Sequence, residues 1–198
     1  MIWIEMMERL IWVGTGLAGL IAVKAGASQV VISDYPNTEL QASLNANVKN
    51  NIPEDLRGRV SVQGHEWGQV EDAFSAAHAS HFTRILSADC LWMPGEHLSL
   101  VQSMLHFLAY REHAQVWVTA GFHTGRPTIA QFFTVAATAG LEVQIIWERD
   151  VYGNVRPWSE TREEDITARK KWLVVAILRR RNDPSAQHLI HRWYFDEQ

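Results

Sequence analysis

The sequence predicts an α/β fold with a mostly parallel sheet, helices on both faces and an antiparallel terminal strand. Short apolar runs alternate with stretches of helical periodicity along most of the 198 residues, as in βαβ units. Two further apolar runs near the carboxyl end have no helix between them, so we expect them to pair antiparallel as a hairpin with a long loop. The result is five parallel strands closed by an antiparallel pair.

The predicted strands are short apolar runs bounded by glycine, proline or polar residues. They cover residues 10–13, 30–33, 59–62, 85–88, 116–119, 141–147 and 172–178. The long charged loop between the last two contains acidic residues at 160–165, which form either a solvated run or a surface that attracts a basic protein terminus. The segment from residue 179 is basic and then aromatic, and we predict no element there.

Helices are predicted between strands from apolar residues that recur every three or four positions. One spans residues 17–25 and ends before Gly26, where a left-handed cap is needed. Another opens at Pro36–Asn37 and repeats leucine or valine every fourth residue from 40 to 48. A short helix near 70–77 and longer ones with apolar stripes at 98–108 and 129–136 complete the alternation.

Composition and charge exclude several classes of protein. Hydrophobic residues at 47% and charged ones at 20% are typical of a globular domain. The 22 acidic residues outnumber 18 basic ones, the opposite of what an electrostatic nucleic-acid binder needs. The single cysteine, Cys90, excludes an intrachain disulfide, and no uncharged run approaches the ~20 residues of a membrane span. We expect a cytoplasmic monomer with no metal, nucleic-acid or membrane partner.

A glycine-rich turn and a carboxylate predict a cofactor that contains adenosine. Residues 14–19 fit G-x-G-x-x-G between a strand and a helix, and Asp34 ends the next strand. Glycines let the backbone approach a ligand, and a carboxylate at this position accepts hydrogen bonds from ribose hydroxyls. NAD and S-adenosylmethionine both satisfy this pattern, and a plain turn with a solvated aspartate is the alternative. A dehydrogenase usually needs a second half-sheet or an added substrate domain, and 198 residues leave little room for either. The antiparallel pair at the end of the chain favours a methyltransferase instead.

Five segments in order carry a more specific resemblance. They are GTGLAGLIAVKAGASQVVISDYPNTEL from residue 14, HEWG from 65, SADCLW from 87, AGFHTGR from 120 and IIWERD from 145. From about residue 11 to 178 the chain resembles seven-β-strand methyltransferases, most of all the fungal elongation-factor-1-alpha N-terminal and lysine methyltransferases, long labelled nicotinamide N-methyltransferase-like. The resemblance implies a Rossmann-like seven-stranded sheet, a methyltransferase domain over 1–178 and a separate tail over 179–198.

The resemblance also implies which residues hold S-adenosylmethionine. Gly14 and Gly16 would lie against its methionine and ribose part, and Asp34 would hold the ribose hydroxyls. Trp67 matches the tryptophan that flanks the adenine, a role to which a flat apolar indole is suited, although a lone tryptophan more often packs on the core. Ala88 matches the small residue at the cofactor's edge.

Asp89 and Trp92 match an Asp-x-x-aromatic motif beside the incoming amine, which makes them the predicted catalytic residues. The implied reaction is methyl transfer to a lysine or an N-terminal amine of a protein, an elongation factor. The alternatives are a helix-capping or loop carboxylate for Asp89 and a core aromatic for Trp92. His123 and Arg126 either touch the substrate or are solvated, and Cys90 is predicted to be a packed small residue rather than a nucleophile.

The sequence departs from the family at its beginning. Leu10 and Trp12 stand where the family has an acidic residue and a glycine, and several dozen residues usually precede this strand. We therefore expect a chain truncated at its N-terminus, with activity impaired if the indole of Trp12 blocks the cofactor. Two alternatives stay open: a non-catalytic methyltransferase-like module that binds a protein partner, and methylation of nicotinamide itself.

Overall fold

Eight strands form one sheet in the part of the chain that the structure describes. The structure is a computed structural model that describes residues 9–13 by their backbone and residues 16–181 in full. The strands are β1 (Arg9–Val13), β2 (Gln29–Asp34), β3 (Val60–Gly64), β4 (Arg84–Ala88), β5 (Gln115–Gly121), β6 (Leu141–Asp150), β7 (Val155–Pro157) and β8 (Trp172–Arg180). Gly14 and most of the predicted tail lie outside the described residues.

The strand order is β3-β2-β1-β4-β5-β8-β6-β7. Strands β1 to β5 are mutually parallel, and β8 runs antiparallel to both of its neighbours, β5 and β6. The predicted parallel sheet and the hairpin of the last two long strands are confirmed. The order reverses beside β1, so ligands are expected beyond the carboxyl ends of β1, β2, β4 and β5.

Strand β7 is an addition that the sequence did not predict. It lies within the long charged loop and pairs antiparallel with the end of β6 through three residues, Val155 to Pro157. The segment is too short to show a periodic pattern, and its proline is tolerated because β7 is at the edge of the sheet. Strand β8 continues to Arg180, two residues past the predicted end of its apolar run.

Six α-helices connect these strands within the described residues: α1 (Leu17–Lys24), α2 (Thr38–Asn51), α3 (Ala73–Ala77), α4 (His97–Phe107), α5 (Arg126–Ala139) and α6 (Ile166–Arg169). The prediction that no helix separates the last two long strands is wrong, because α6 lies between them; its four residues are too few to show helical periodicity. Asn37 caps α2, because its side-chain oxygen accepts hydrogen bonds from the amides of Glu39 and Leu40. Gly140 ends α5 in the left-handed conformation, as its position predicted. Of the predicted apolar stripe on α2, only Leu44 is fully buried.

The two faces of the sheet bury separate apolar clusters. In β2, Val31 belongs to the cluster beneath α4 and α5, whereas Val30 and Ile32 belong to the cluster beneath α1 and α2. A strand buried on both faces has a continuous apolar sequence rather than an alternating one, which explains the run at residues 30–32. A Cβ atom on Gly19 would lie 2.7 Å from Ile32, so the last glycine of the motif allows α1 to pack closely on β2.

The loop that follows β3 is fastened to α4 through one buried histidine. Nε2 of His65 lies 2.8 Å from Oγ of Ser103, and the same hydroxyl accepts a hydrogen bond of 2.8 Å from the amide of Gly68. His65 is only 4% exposed. Both ends of the HEWG segment are therefore attached to one α4 side chain, which limits where Trp67 can lie.

A buried cluster of charges fixes the segment between β7 and β8. The guanidinium of Arg126, on α5, binds the carboxylate of Glu148 through two contacts of 2.5 and 2.9 Å. Arg156 of β7 binds Glu148 at 2.7 Å and Glu164 at 2.6 Å. Burial raises the pKa of Glu148, but hydrogen bonds from both arginines outweigh it and hold that pKa below its usual range. Glu164 is therefore not part of a solvated acidic run.

We expect removal of Arg126 to unfold the protein more easily. Arg126→Met keeps most of the side-chain volume but deprives the fully buried Glu148 carboxylate of its bidentate partner, which costs about 3–5 kcal/mol. Urea denaturation followed by circular dichroism measures the free energy of unfolding. The control Arg59→Met alters an exposed arginine and should change it by less than about 0.5 kcal/mol. A loss below about 1 kcal/mol for Arg126→Met would contradict the structural role of the cluster.

The second prediction concerns the pH dependence of stability. Burial lowers the pKa of His65, and this effect exceeds the opposing one of Asp72. The folded protein thus keeps His65 neutral where the unfolded chain already binds a proton. Its stabilising contribution is complete above the ordinary histidine pKa of about 6.5 and decreases as the pH falls below that value.

Urea titrations between pH 7.5 and 5.5 test this expectation on the wild type and on His65→Gln. The variant should lose less stability across that interval than the wild type does. Asp72 does not affect the comparison. Its pKa is lowered in the folded protein, so its contribution to the free energy of unfolding is lost only below about pH 3.8. Equal slopes for the two proteins would show that His65 titrates as in the unfolded chain.

Candidate active site

The carboxyl ends of three parallel strands bring the predicted residues to one edge of the sheet. Asp34 is the last residue of β2, Ala88 is the last of β4, and Gly121 is the last of β5. Asp89 follows Ala88 directly, so Asp89 and Asp34 lie at the carboxyl ends of the two strands that flank β1. The acidic residues that sequence reasoning selected therefore share one side of the molecule.

The glycine turn is described only in its second half. Gly16 is buried at the amino end of α1 with φ of 84°, a conformation that favours glycine, and a Cβ atom there would lie 3.0 Å from Leu44. Gly14 lies outside the described residues, so its predicted role stays a prediction. The backbone of Trp12 pairs with Ile32 and Leu86 inside the sheet, and its side chain is not among the described atoms.

Asp34 presents its carboxylate where β2 gives way to a tight turn. Oδ1 accepts a 2.7 Å hydrogen bond from the amide of Tyr35, while Oδ2 accepts none from the described part of the chain. The turn is close to β3, because a Cβ atom on Gly64 would lie 2.9 Å from Pro36. The half-buried carboxylate thus has one oxygen fixed by the backbone and one available to a ligand.

Trp67 occupies the loop beyond β3 and is half-buried. It packs against the main apolar cluster, as a core aromatic would, yet part of its surface is left exposed. Gly68 turns the chain behind it with φ of 83°, and a Cβ atom there would lie 3.2 Å from Ser99 of α4. The indole is therefore held by the core and available on its outer side.

Asp89 is attached to the end of β5 and caps no helix. Its backbone has φ of 56°, and its amide donates a 2.7 Å hydrogen bond to the carbonyl of Thr119. Oδ1 accepts a 3.2 Å hydrogen bond from the amide of Gly121. Nε2 of His123 lies 3.0 Å from Oδ1 and 3.1 Å from Oδ2. Of the two alternatives for Asp89, helix capping is therefore wrong, whereas a loop position is correct, since the residue lies in the loop after β4.

The neighbours of Asp89 have opposite environments. Trp92 is 51% exposed, so the core-aromatic alternative is wrong for this residue. Cys90 is buried, and burial raises the pKa of its thiol to about 11. The thiolate is the nucleophilic form, so this cysteine is unreactive near neutral pH, and its predicted role as a packed residue is confirmed.

The segment after β5 contains features that sequence reasoning underestimated. Arg126 is only 4% exposed and belongs to the buried charge cluster, so neither substrate contact nor solvation describes it. His123 is exposed but paired with Asp89. No signal in the sequence indicated this pairing, because it joins the ends of two strands that are adjacent only in the folded protein.

Two classes of site have no counterpart among residues 9–13 and 16–181. No group of three or more histidine, cysteine, aspartate or glutamate side chains in these ranges is placed to hold a metal ion. Among the histidines, His78 hydrogen-bonds the carbonyl of Phe74 at 2.8 Å and stacks on Phe82. In the same part of the chain, no helix has the length and apolarity needed to cross a membrane.

Several known methyltransferases are similar to this chain in sequence. The protein N-terminal and lysine N-methyltransferase EFM7 of Candida glabrata is 29% identical over 164 residues, which are 79% of this chain and 60% of that protein. Its counterpart in Schizosaccharomyces pombe is 29% identical over 143 residues, 68% of this chain and 54% of that one. The protein N-lysine methyltransferase METTL21A of Xenopus tropicalis is 38% identical over 93 residues, 47% and 40% of the two chains. The chain thus spans 40% to 60% of the length of these relatives.

Solved structures share the architecture at low sequence identity. The glycopeptide N-methyltransferase MtfA, complexed with sinefungin, has a TM-score of 0.62 at 10% identity, with 85% of each chain covered. The [4+2]-cyclase SpnF has a TM-score of 0.61 at 15% identity, with 88% of this chain and 75% of SpnF covered. These similarities show the fold alone, and the predicted Rossmann-like methyltransferase fold is confirmed.

The sequence profile of the lysine methyltransferase family matches residues 11–137, which are more than half of the chain. The matched region runs from β1 through most of α5 and includes every residue predicted to bind the cofactor or the amine. The resemblance drawn from the motifs is confirmed, and the chain belongs to the lysine methyltransferase family.

Proposed function

We propose that the protein is an S-adenosylmethionine-dependent N-methyltransferase that acts on a lysine or N-terminal amine of a protein. The observation that carries the proposal is the edge of the sheet where Asp34 and Asp89 end or follow parallel strands on both sides of β1. One carboxylate suits the ribose of the cofactor, and the other suits an amine. Family membership supports the same assignment.

The described residues fit the cofactor. Oδ2 of Asp34 has no hydrogen bond from the described chain and can accept one from a ribose hydroxyl, and the exposed side of Trp67 offers an apolar surface to adenine. Gly16, in its left-handed turn, and Ala88 place no bulky side chain at this edge of the sheet. When bound, the cofactor supplies a methyl group on a positively charged sulfur.

Asp89 and Trp92 are the residues that would receive the amine. The nitrogen must be neutral to accept a methyl group, and a free lysine with a pKa of about 10.4 is neutral only ~0.04% of the time at pH 7. An N-terminal amine, with a pKa of about 7.7–8.0, is neutral roughly 10–15% of the time. Desolvation by Trp92 favours the neutral form, whereas the Asp89 charge favours the cation but orients its N–H bonds.

An α-amine therefore requires less of this site than a lysine does. The names of the fungal relatives describe transfer to protein N-termini and to lysines, and the motif resemblance extends the proposal to elongation factor 1-alpha. We also propose a monomer in the cytoplasm. The net charge of −4 opposes self-association, and a reducing compartment suits a chain with one buried thiol.

Two measurements test the proposed function. Calorimetric titration with S-adenosylhomocysteine should show binding, and radiolabelled S-adenosylmethionine should label elongation factor 1-alpha, with the modified amine located by peptide mass spectrometry. A parallel incubation with nicotinamide should stay unlabelled. A folded protein that binds no S-adenosylhomocysteine and labels no protein would contradict the proposal and favour the non-catalytic binding module.

We expect Asp34→Asn to weaken cofactor binding. A hydrogen bond to a charged group contributes about 1.5–3 kcal/mol, so the Kd for S-adenosylhomocysteine should rise by roughly 10- to 100-fold. Calorimetry measures it, with Glu71→Gln as a control that removes an exposed carboxylate elsewhere. An unchanged Kd for Asp34→Asn would place the ribose away from β2.

A further inference from the structure

We propose that His123 is a positioning residue that orients the Asp89 carboxylate toward the substrate amine. The inference rests on the proposed function and adds to it the group that sets the direction of the amine. It follows from the pairing of the two side chains at the ends of β4 and β5.

The protonation pattern of the pair follows from its geometry. Nε2 of His123 lies 3.0 and 3.1 Å from the two oxygens of Asp89. An ionised carboxylate only accepts hydrogen bonds, so Nε2 must carry the proton. The imidazole thus donates across both carboxylate oxygens, while the amide of Gly121 donates to Oδ1 from the backbone at 3.2 Å.

The pair is difficult to explain as a stabilising contact. The side chains of His123 and Asp89 are 58% and 59% exposed, and exposed polar contacts of this kind contribute little to stability. Asp89 nevertheless adopts φ of 56°, an uncommon conformation for a residue other than glycine. A fixed orientation at an exposed edge is what a ligand-binding carboxylate requires.

Gly121 makes room for the imidazole. A Cβ atom on this glycine would lie 2.4 Å from Cε1 and 2.7 Å from Nε2 of His123, so the ring rests directly on the end of β5. The φ angle of Gly121 is not in the left-handed region, so an alanine there is acceptable to the backbone and displaces only the ring. A variant at residue 121 can therefore move the imidazole without removing it.

The consequence is a restricted choice of hydrogen-bonding sites on Asp89. A carboxylate has about four lone-pair positions. The Nε2–H of His123 is shared between the two oxygens, and the Gly121 amide takes a further position. The remaining lone-pair positions of the Asp89 carboxylate define the side from which an amine N–H can approach. The direction of the amine's own lone pair is thereby set.

Steady-state kinetics on three variants test the proposal, with an N-terminal peptide of the proposed substrate as the methyl acceptor. His123→Ala removes the donor, Gly121→Ala displaces it, and His123→Gln restores an N–H near the position of Nε2. We expect His123→Ala and Gly121→Ala to lower kcat/KM for the peptide by about tenfold or more. The two decreases should be similar in size. His123→Gln should stay within about threefold of the wild type, and all three should bind S-adenosylhomocysteine as the wild type does.

The outcomes separate the inference from the function on which it rests. If the wild-type protein transfers no methyl group, the proposed function and the inference are both overturned. Wild-type kcat/KM in His123→Ala, or a defect in His123→Gln as large as in His123→Ala, overturns the positioning role alone. Thermal unfolding identifies a variant that fails to fold, and the nitrogen chemical shifts of His123 then report in the wild type whether Nε2 carries the proton. A proton on Nδ1 only would also overturn the inference.

Discussion

The candidate site depends on one constraint: parallel strands end at the same edge of a sheet. Because β1, β2, β4 and β5 run in one direction, their carboxyl ends bring together residues that are far apart in the sequence. Asp34 and Asp89 are 55 positions apart in the sequence, yet they lie at the carboxyl ends of the two strands on either side of β1. The buried apolar residues of each strand end at this edge of the sheet. The first polar residues after each strand are therefore the ones that can bind a ligand.

The loops beyond this edge are held to the scaffold by buried polar contacts as well as by apolar packing. The HEWG segment is tied to α4 through Ser103, and the segment that contains β7 is tied to α5 through Arg126. Both contacts are buried, and buried polar groups have defined geometry because each must be satisfied. The same edge of the sheet therefore combines exposed acceptors with rigidly anchored neighbours, an arrangement suited to in-line group transfer.

The sequence predicted five of the six described α-helices, seven of the strands and the edge of the sheet at which the candidate residues lie, because these follow from apolar periodicity and from residues that end strands. It did not predict β7, since three residues show no periodicity and Arg156 is fixed there by ion pairs to Glu148 and Glu164 that only the folded chain brings together. Arg126 and Glu164 were placed incorrectly for the same reason: a charged residue is assigned to solvent unless its partners are known. The pairing of His123 with Asp89 joins two strand ends and becomes visible only once β4 and β5 are adjacent.

A crystal structure of the protein with S-adenosylhomocysteine tests the central claim most directly. We expect the ribose hydroxyls within hydrogen-bonding distance of Asp34, the adenine against Trp67, and the sulfur directed toward the side of the edge where Asp89 and Trp92 lie. Electron density for the ligand elsewhere, or protein side chains filling the space between Asp34 and Trp67, would contradict it.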